Sequence, residues 1–215
     1  MTVLTEDIGP GYCSVEDVRA LGITADILAA SYIEVLIART ADLMDSYLGG
    51  TFKLHEVQEW ILSNHGTGRL IVSDYPIIEL LGVKVRYALN EAPIELSIFD
   101  PQTGEGVIRY KGKSGIIERI DGGIFPEPPG ATWLHYTAGY EPEDMPGILR
   151  DINARLAAAY SLMQIDGDIN PQGLSSIGEG ALSLSYGGNN QKAAALLEGW
   201  KEALSPIRRL SYGSL

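Results

Sequence analysis

Hydrophobic and polar positions change period twice along this chain. From Ile33 to Leu48 the apolar residues Ile33, Leu36, Ile37, Met44, Tyr47 and Leu48, with Thr40 among them, recur every three or four positions and end at Gly49-Gly50. That is the stripe of an amphipathic helix with a glycine stop. Upstream, Ser14-Val-Glu-Asp17 has the form of a capping box, with Asp in the place of the usual Glu, and predicts a short helix to about Leu21 that Gly22 terminates. Thr24 or Ser31 is the expected cap of the longer helix. Residues 1–11, with two acids and Gly-Pro-Gly, read as a loose arm.

From residue 55 to 137 the period falls to two. Strands are predicted at Val57–Leu62, Arg69–Ser73, Ile77–Tyr87, Ile94–Phe99, Gly106–Tyr110, Gly115–Ile120 and Thr132–Tyr136, separated by turn-forming pieces such as Asp100-Pro-Gln-Thr-Gly104 and Asp121-Gly-Gly123. Strands this short and this regularly spaced predict an antiparallel sandwich or barrel. Gly139 then allows a sharp turn, and Pro142 and Pro146 forbid strand. Glu143 and Asp144 place negative charge beside a helix start. Ile148, Ile152, Leu156, Ala159, Tyr160 and Met163 form the next stripe, with Arg150, Asp151 and Asn153 off it, and the helix is expected to end before Gly167. A strand at 181–186 alternates cleanly inside a Gly/Asn/Ser-rich stretch. With no neighbour in sequence it must pair elsewhere, in the β insert or across to another subunit. A last helix covers about 190–204, with Ala194, Leu197, Trp200, Lys201 and Leu204 on one side, and Pro206 stops it.

The expected class is therefore α+β: a helical bundle (N-terminal helices, a long helix near 146–165 and a C-terminal helix near 190–204) with an inserted antiparallel β sandwich or barrel. Residues 1–54 and 138–215 are assigned to the helical domain with its C-terminal arm, and 55–137 to the β domain.

Composition narrows function. A chain of 215 residues can bury roughly 70% of its unfolded surface. The formal net charge of −12 argues against binding nucleic acid through phosphates. One cysteine, Cys13, permits no intrachain disulfide and fits a reducing compartment. It precedes a helix start, where a thiol can be activated, but a small semi-buried side chain is the plainer reading. With no signal pattern and no apolar run near 18 residues, a soluble intracellular protein without membrane association is expected.

Candidate chemistry is sparse. His55, His65 and His135 lack metal-ligand spacing, and no cofactor, metal or catalytic residue is assigned. Gly112-Lys-Ser114 shares the ending of a phosphate loop but has Val107 where the upstream glycine belongs and a strand where a helix must follow, so it reads as a hairpin turn. Arg208-Arg209 is the one concentrated positive feature. It is either a solvated terminus or a docking arm, with Leu210 and Tyr212 as anchors.

In order, Tyr12-Cys-Ser-Val-Glu-Asp-Val-Arg19, Ala41-Asp-Leu-Met-Asp-Ser-Tyr-Leu48, Gly68-Arg-Leu-Ile-Val-Ser-Asp-Tyr-Pro-Ile77 and Tyr136-Thr-Ala-Gly-Tyr140 with its proline-led helix resemble the head–tail connector (adaptor) proteins of tailed bacteriophages, over most of the chain. The resemblance implies a non-enzymatic subunit of a ring, commonly of twelve, beneath the portal in the virion neck, assembled in the host cytoplasm. It implies the portal and a stopper or tail protein as partners, with DNA passing through the lumen without specific binding. It places portal docking in the carboxy-terminal segment, here Trp200, Arg208, Arg209, Leu210 and Tyr212. An acidic lumen would let DNA slide, and the strand bearing Leu182, Leu184 and Tyr186 suits a contact between ring neighbours. Two other readings stand beside this one. The first is a carbohydrate- or peptide-binding β-sandwich of a tail or baseplate, for which Tyr87, Phe99 and Tyr110 would have to cluster on one exposed face. The second is a carboxylate hydrolase, which would need two facing acids in a deep pocket.

Overall fold

The computed structural model describes residues 11–25, 28–62, 66–88, 90–169, 176–179, 182–185 and 187–208. In chain order the elements are α1 (Val15–Ala20), α2 (Ala30–Leu48), β1 (His55–Ile61), β2 (Arg69–Ile71), β3 (Ile77–Val85), β4 (Ile94–Glu95), β5 (Ile108–Lys111), β6 (Ile116–Arg119), β7 (Thr132–Ala138), α3 (Gly147–Ile169), β8 (Ser176–Glu179), β9 (Leu182–Ser185), α4 (Gly187–Leu197) and α5 (Trp200–Leu204). Two compact units result: one runs to Gly50 and resumes at Pro142, and the other is Thr51–Glu141. The class is α+β.

In the helical unit, α1 begins as its sequence predicts. The Ser14 hydroxyl accepts from the Asp17 N–H at 3.2 Å, and the Ser14 N–H donates to the Asp17 carboxylate at 2.8 Å. Arg150 of α3 also donates to that carboxylate at 2.8 Å, joining the two helices. Burial pushes the Asp17 pKa up, but these bonds outweigh it and the carboxyl sits below its ordinary value. α2 buries Ile33, Leu36, Ile37, Thr40, Met44 and Leu48 and ends on Gly49 at φ +82°. Neither Thr24 nor Ser31 caps it: the N-cap is Ala29, with no side-chain hydrogen bond.

α3 departs from its predicted stripe. Ile148 and Met163 are exposed, while Leu149, Ile152, Asn153, Leu156 and Ala157–Ala159 are buried. The helix packs against α1, α2 and α4. It therefore buries most of its circumference, and small alanines let the neighbours approach. Asn153 tolerates full burial because its hydrogen bonds are made. Its side-chain oxygen accepts from the Tyr12 N–H at 2.8 Å, and its amide donates to the Ile37 carbonyl at 3.2 Å and the Thr40 hydroxyl at 2.8 Å. The helix also continues past Gly167 to Ile169, since an isolated glycine costs only about 1 kcal/mol in a helix. The predicted C-terminal helix is two: Gly199, at φ +69°, separates α4 from α5. In α4 the buried alanine is Ala193, and Ala194 is exposed.

Cys13 is fully buried and free. Burial, then the neighbouring Asp17 charge, pushes its pKa from 9.0 up to about 12, so the plainer reading holds. A thiol reagent at pH 8 is expected to modify it only as fast as the protein unfolds. Rapid stoichiometric labelling of the native chain would contradict this. Above pH 9 the unfolded thiol ionises while the folded one stays protonated, so this group lowers stability as pH rises from 9 towards about 12.

In the β unit all the predicted strands form, several of them shorter. The order β1-β7-β3-β4 gives a four-stranded antiparallel sheet, and β2-β6-β5 gives a three-stranded one. Their inner faces share one core, with Leu70, Val72, Leu80, Val83, Ile108, Ile117, Phe125, Leu134 and Tyr136. The pair stays an open sandwich rather than a barrel. Tyr136 donates to Glu59 at 2.8 Å, and burial together with that carboxylate raises its pKa.

The unit also takes in Thr51–Leu54 and Ala138–Glu141, which the sequence periodicity assigns to the helical domain. The entering and leaving strands bond each other there. The Tyr140 N–H donates to Phe52 at 2.9 Å and the Leu54 N–H to Tyr140 at 3.1 Å. Gly139 makes this possible: at φ +106°, a Cβ there would lie 2.2 Å from the Lys53 carbonyl oxygen. The Gly112–Ser114 segment is a single 3-10 turn between β5 and β6 with Gly115 left-handed after it, a hairpin connection as predicted.

The strand expected to lack a neighbour has one. β9 pairs antiparallel with β8, matching Ile177 to Leu184 and Glu179 to Leu182. The sequence hid the partner because Ser-Ile-Gly-Glu carries a single apolar side chain. Leu182–Ser185 therefore has its pairing partner within the chain and needs none in the β insert or in another subunit.

Candidate functional site

The predicted docking residues divide. Tyr186, Arg209, Leu210 and Tyr212 lie outside the described residues, and so do His65 and the arm 1–10. Leu182 and Leu184 lie on β9 of the hairpin. Trp200 and Arg208 come together with α2 in the helical unit. The Trp200 ring stands edge-on to Tyr47, with centroids 5.3 Å apart. The Arg208 guanidinium covers the other ring at 5.1 Å from the Tyr47 centroid, and the Tyr47 hydroxyl donates to the Lys201 carbonyl at 2.8 Å. Lys201 adds its ammonium 5.5 Å from Trp200 and 5.9 Å from Tyr47. Aromatic pairs and cation–π contacts of this kind contribute about 0.5–1.5 kcal/mol each. Together they fasten Trp200, Lys201 and Arg208 to Tyr47 of α2.

The sequence reading missed a second cluster, on the outer face of the three-stranded sheet. Register aligns Arg69 of β2, Glu118 of β6 and Arg109 of β5 in one row, and Ile71, Ile116 and Lys111 in the next. The Arg109 fork donates to Glu118 Oε1, with Nε at 2.9 Å. Arg69 and Lys111 reach Oε2 at 3.3 and 3.7 Å. The Arg109 hydrogen bond, aided by the Lys111 and Arg69 charges, holds the Glu118 carboxyl below its ordinary pKa against the effect of burial. These residues, with Arg119, line a shallow depression of about 740 Å³. Arg119 is paired with Asp121, whose pKa its hydrogen bonds bring down to about 2. The cations at Arg109-x-Lys111 were a signal, but their focus, Glu118, becomes visible only once strands are paired.

This geometry bears on the other readings. The depression holds one carboxylate, Glu118, already engaged by three cations, which gives no facing pair of acids. Tyr87 is exposed and receives a hydrogen bond from Arg119 at 2.9 Å, whereas Tyr110 packs against the sandwich core and Phe99 is half-buried in the loop before β5. The three aromatics do not form one exposed cluster. His55 faces Asp74 at 3.8 Å, and His135 bonds Glu56. Among the described residues no group of three or more His, Cys, Asp or Glu is placed to hold a metal ion, and no helix is long and apolar enough to cross a membrane.

No known family model matches the chain, and no curated protein does. A solved structure does. The chain is similar to one in the structure described as the neck of an empty GTA particle computed with C6 symmetry, at a TM-score of 0.51 and 15% sequence identity, over 90% of this chain and 91% of that one. The shared feature is the fold, helices and antiparallel sheets together, over nearly the whole of both chains.

Proposed function

We propose that this chain is a structural head–tail connector (adaptor) in the neck of a tailed phage or phage-like particle. It acts as a subunit of a ring beneath the portal, extends the DNA channel and receives a stopper or tail protein. The observation that carries this reading is the fold likeness over 90% of the chain to a component of a GTA neck, a gene transfer agent being phage-like. The resemblance of the ordered segments from Tyr12 to Tyr140 supports it independently. The neck structure was computed with C6 symmetry, and a cyclic arrangement of this chain, commonly twelve copies, accords with that. The role is non-enzymatic, carried out in the virion after assembly in the host cytoplasm. The net charge of −12 would keep a passing duplex from adhering.

In this reading the Tyr47 clamp presents residues 209–215 to the portal, with Arg209, Leu210 and Tyr212 as contacts and Arg208 shared between clamp and partner. Deleting 205–215 is expected to abolish co-purification with the portal while the helical content stays within a few residues of the full chain. Undiminished portal capture would reject the docking arm. Native mass spectrometry of the chain mixed with portal is expected to show a cyclic assembly, and a closed dimer as the sole product would reject the adaptor role.

A further inference from the structure

The outer face of the three-stranded sheet combines features that water alone does not account for. Arg69, Arg109 and Lys111 surround one carboxylate, and their side chains remain 72%, 53% and 52% exposed. One charge cannot neutralise three, so this face keeps an excess of positive charge on a chain whose formal charge is −12. Arg69 on β2 and Arg109 and Lys111 on β5 flank Glu118 of the central strand β6, so only one anion lies among them. Two isoleucines flank the cations: Ile71 is 74% exposed and Ile120 is 40% exposed. Arginine mixed with exposed aliphatic surface is the composition of a protein interface. A phosphate backbone offers nothing to two isoleucines, and nucleic-acid interfaces are more polar than this.

A second copy of this acidic chain supplies what the face lacks. Glu141-Pro-Glu-Asp144 is exposed at every residue, and its 3-10 turn, Pro142–Asp144, carries the carboxylates of Glu143 and Asp144. We infer that the β2-β6-β5 face docks the 141–144 segment of a second copy, with Arg69 and Lys111 pairing with Glu143 and Asp144 and Ile71 covering Pro142. The two surfaces differ, so the contact is head-to-tail, the kind that generates rings or open filaments rather than closed dimers. The inference rests on reading the chain as a ring-forming subunit and names one of the contacts that would close it.

Charge reversal tests this in the full-length chain. Arg109 is left in place so that Glu118 keeps the guanidinium that donates twice to its Oε1. Sedimentation velocity across protein concentration is expected to show self-association that weakens with salt. Arg69→Glu with Lys111→Glu should weaken it about tenfold, as loss of two exposed ion pairs allows, and Glu143→Lys with Asp144→Lys should do the same. Mixing the two variants should restore association, a result that misfolding of either would not produce. In the wild-type chain a carbodiimide should cross-link Lys111 to Glu143 or Asp144 of another copy. A chain that stays monomeric at every concentration, or oligomers indifferent to both reversals, would overturn the inference. So would loss of short-duplex DNA binding in Arg69→Glu/Lys111→Glu with self-association unchanged, since the occupant would then be nucleic acid. Capture by the portal remains the separate test of the neck role: indifferent oligomers that still bind portal would remove this contact and leave the adaptor standing.

Discussion

Alanine at Gly139 is expected to destabilise the Thr51–Glu141 unit by about 4 kcal/mol, a magnitude that few mechanisms reach, violated backbone geometry among them. Two effects combine. The residue sits at φ +106°, where any side chain is strained, and the added Cβ would stand 2.2 Å from the Lys53 carbonyl oxygen and 2.9 Å from the Leu54 nitrogen. These are backbone atoms, so no rotamer change relieves the overlap. Relief requires separating the two strands, which breaks the Phe52–Tyr140 and Tyr140–Leu54 hydrogen bonds. Urea unfolding followed by fluorescence reports on this unit through Trp60 and Trp133. The midpoint should fall by about 2 M for an ordinary dependence on urea. Gly104, whose added Cβ would meet nothing within 4 Å although its φ is +74°, is the control: alanine there carries the left-handed strain without the collision. Equal losses at the two positions would show that collision contributes nothing.

Replacing Asn153 by alanine is expected to cost the helical unit about 3 kcal/mol. The side chain joins three segments through its contacts to Tyr12, Ile37 and Thr40 in a site without solvent exposure. Truncation removes the acceptor of the Tyr12 N–H and the donor to the Thr40 hydroxyl and leaves a void between the segments, while the Ile37 carbonyl keeps the Thr40 hydroxyl at 3.2 Å. A buried group that loses its partner costs about 1–3 kcal/mol, and the void adds to it. Gly11 sharpens the requirement, since a Cβ there would meet Ile37 at 2.4 Å and Asn153 at 2.7 Å, so the Tyr12 backbone can approach the amide only behind a glycine. Asn153→Asp separates the contributions. It keeps an acceptor for Tyr12, loses the donor to Ile37 and buries a charge, so it should be at least as damaging as alanine. Thermal melts by circular dichroism decide the matter, and an aspartate variant as stable as the wild type would mean the amide's donated bonds carry no weight.

Strands such as β1 and β7 are legible because they alternate, β3 and β6 because β-branched and apolar runs stand between turn-forming residues, and the α1 cap because Ser14 and Asp17 stand at capping-box spacing. What failed to show was anything defined by a partner. Ile152, Leu156 and Ala159 of the stripe read for α3 are buried, but the further buried face through Leu149, Asn153 and Ala157 does not show, because Asn153 reads as polar in isolation and the alanines at 157–159 say nothing about direction. The partner of Leu182–Ser185 does not show in the sequence because Gly178 breaks its alternation. The Arg69–Glu118–Arg109 row does not exist in one dimension: Glu118 lies nine residues from Arg109 along the chain and directly beside it in the sheet. Trp200 was legible as an anchor, but its first partner is Tyr47 of its own chain.

The paired strands at Phe52–Leu54 and Tyr140 also bear on how such a chain can change over time. Because the sandwich begins and ends at one hydrogen-bonded point, its two ends are already neighbours. Any other module whose termini meet at a similar spacing could be spliced in at that point with no change in the path of the flanking chain. Recombination could then enlarge, trim or exchange the insert while α2 and α3 keep their sequences, so that the insert and the helical part of a lineage could diverge at different rates.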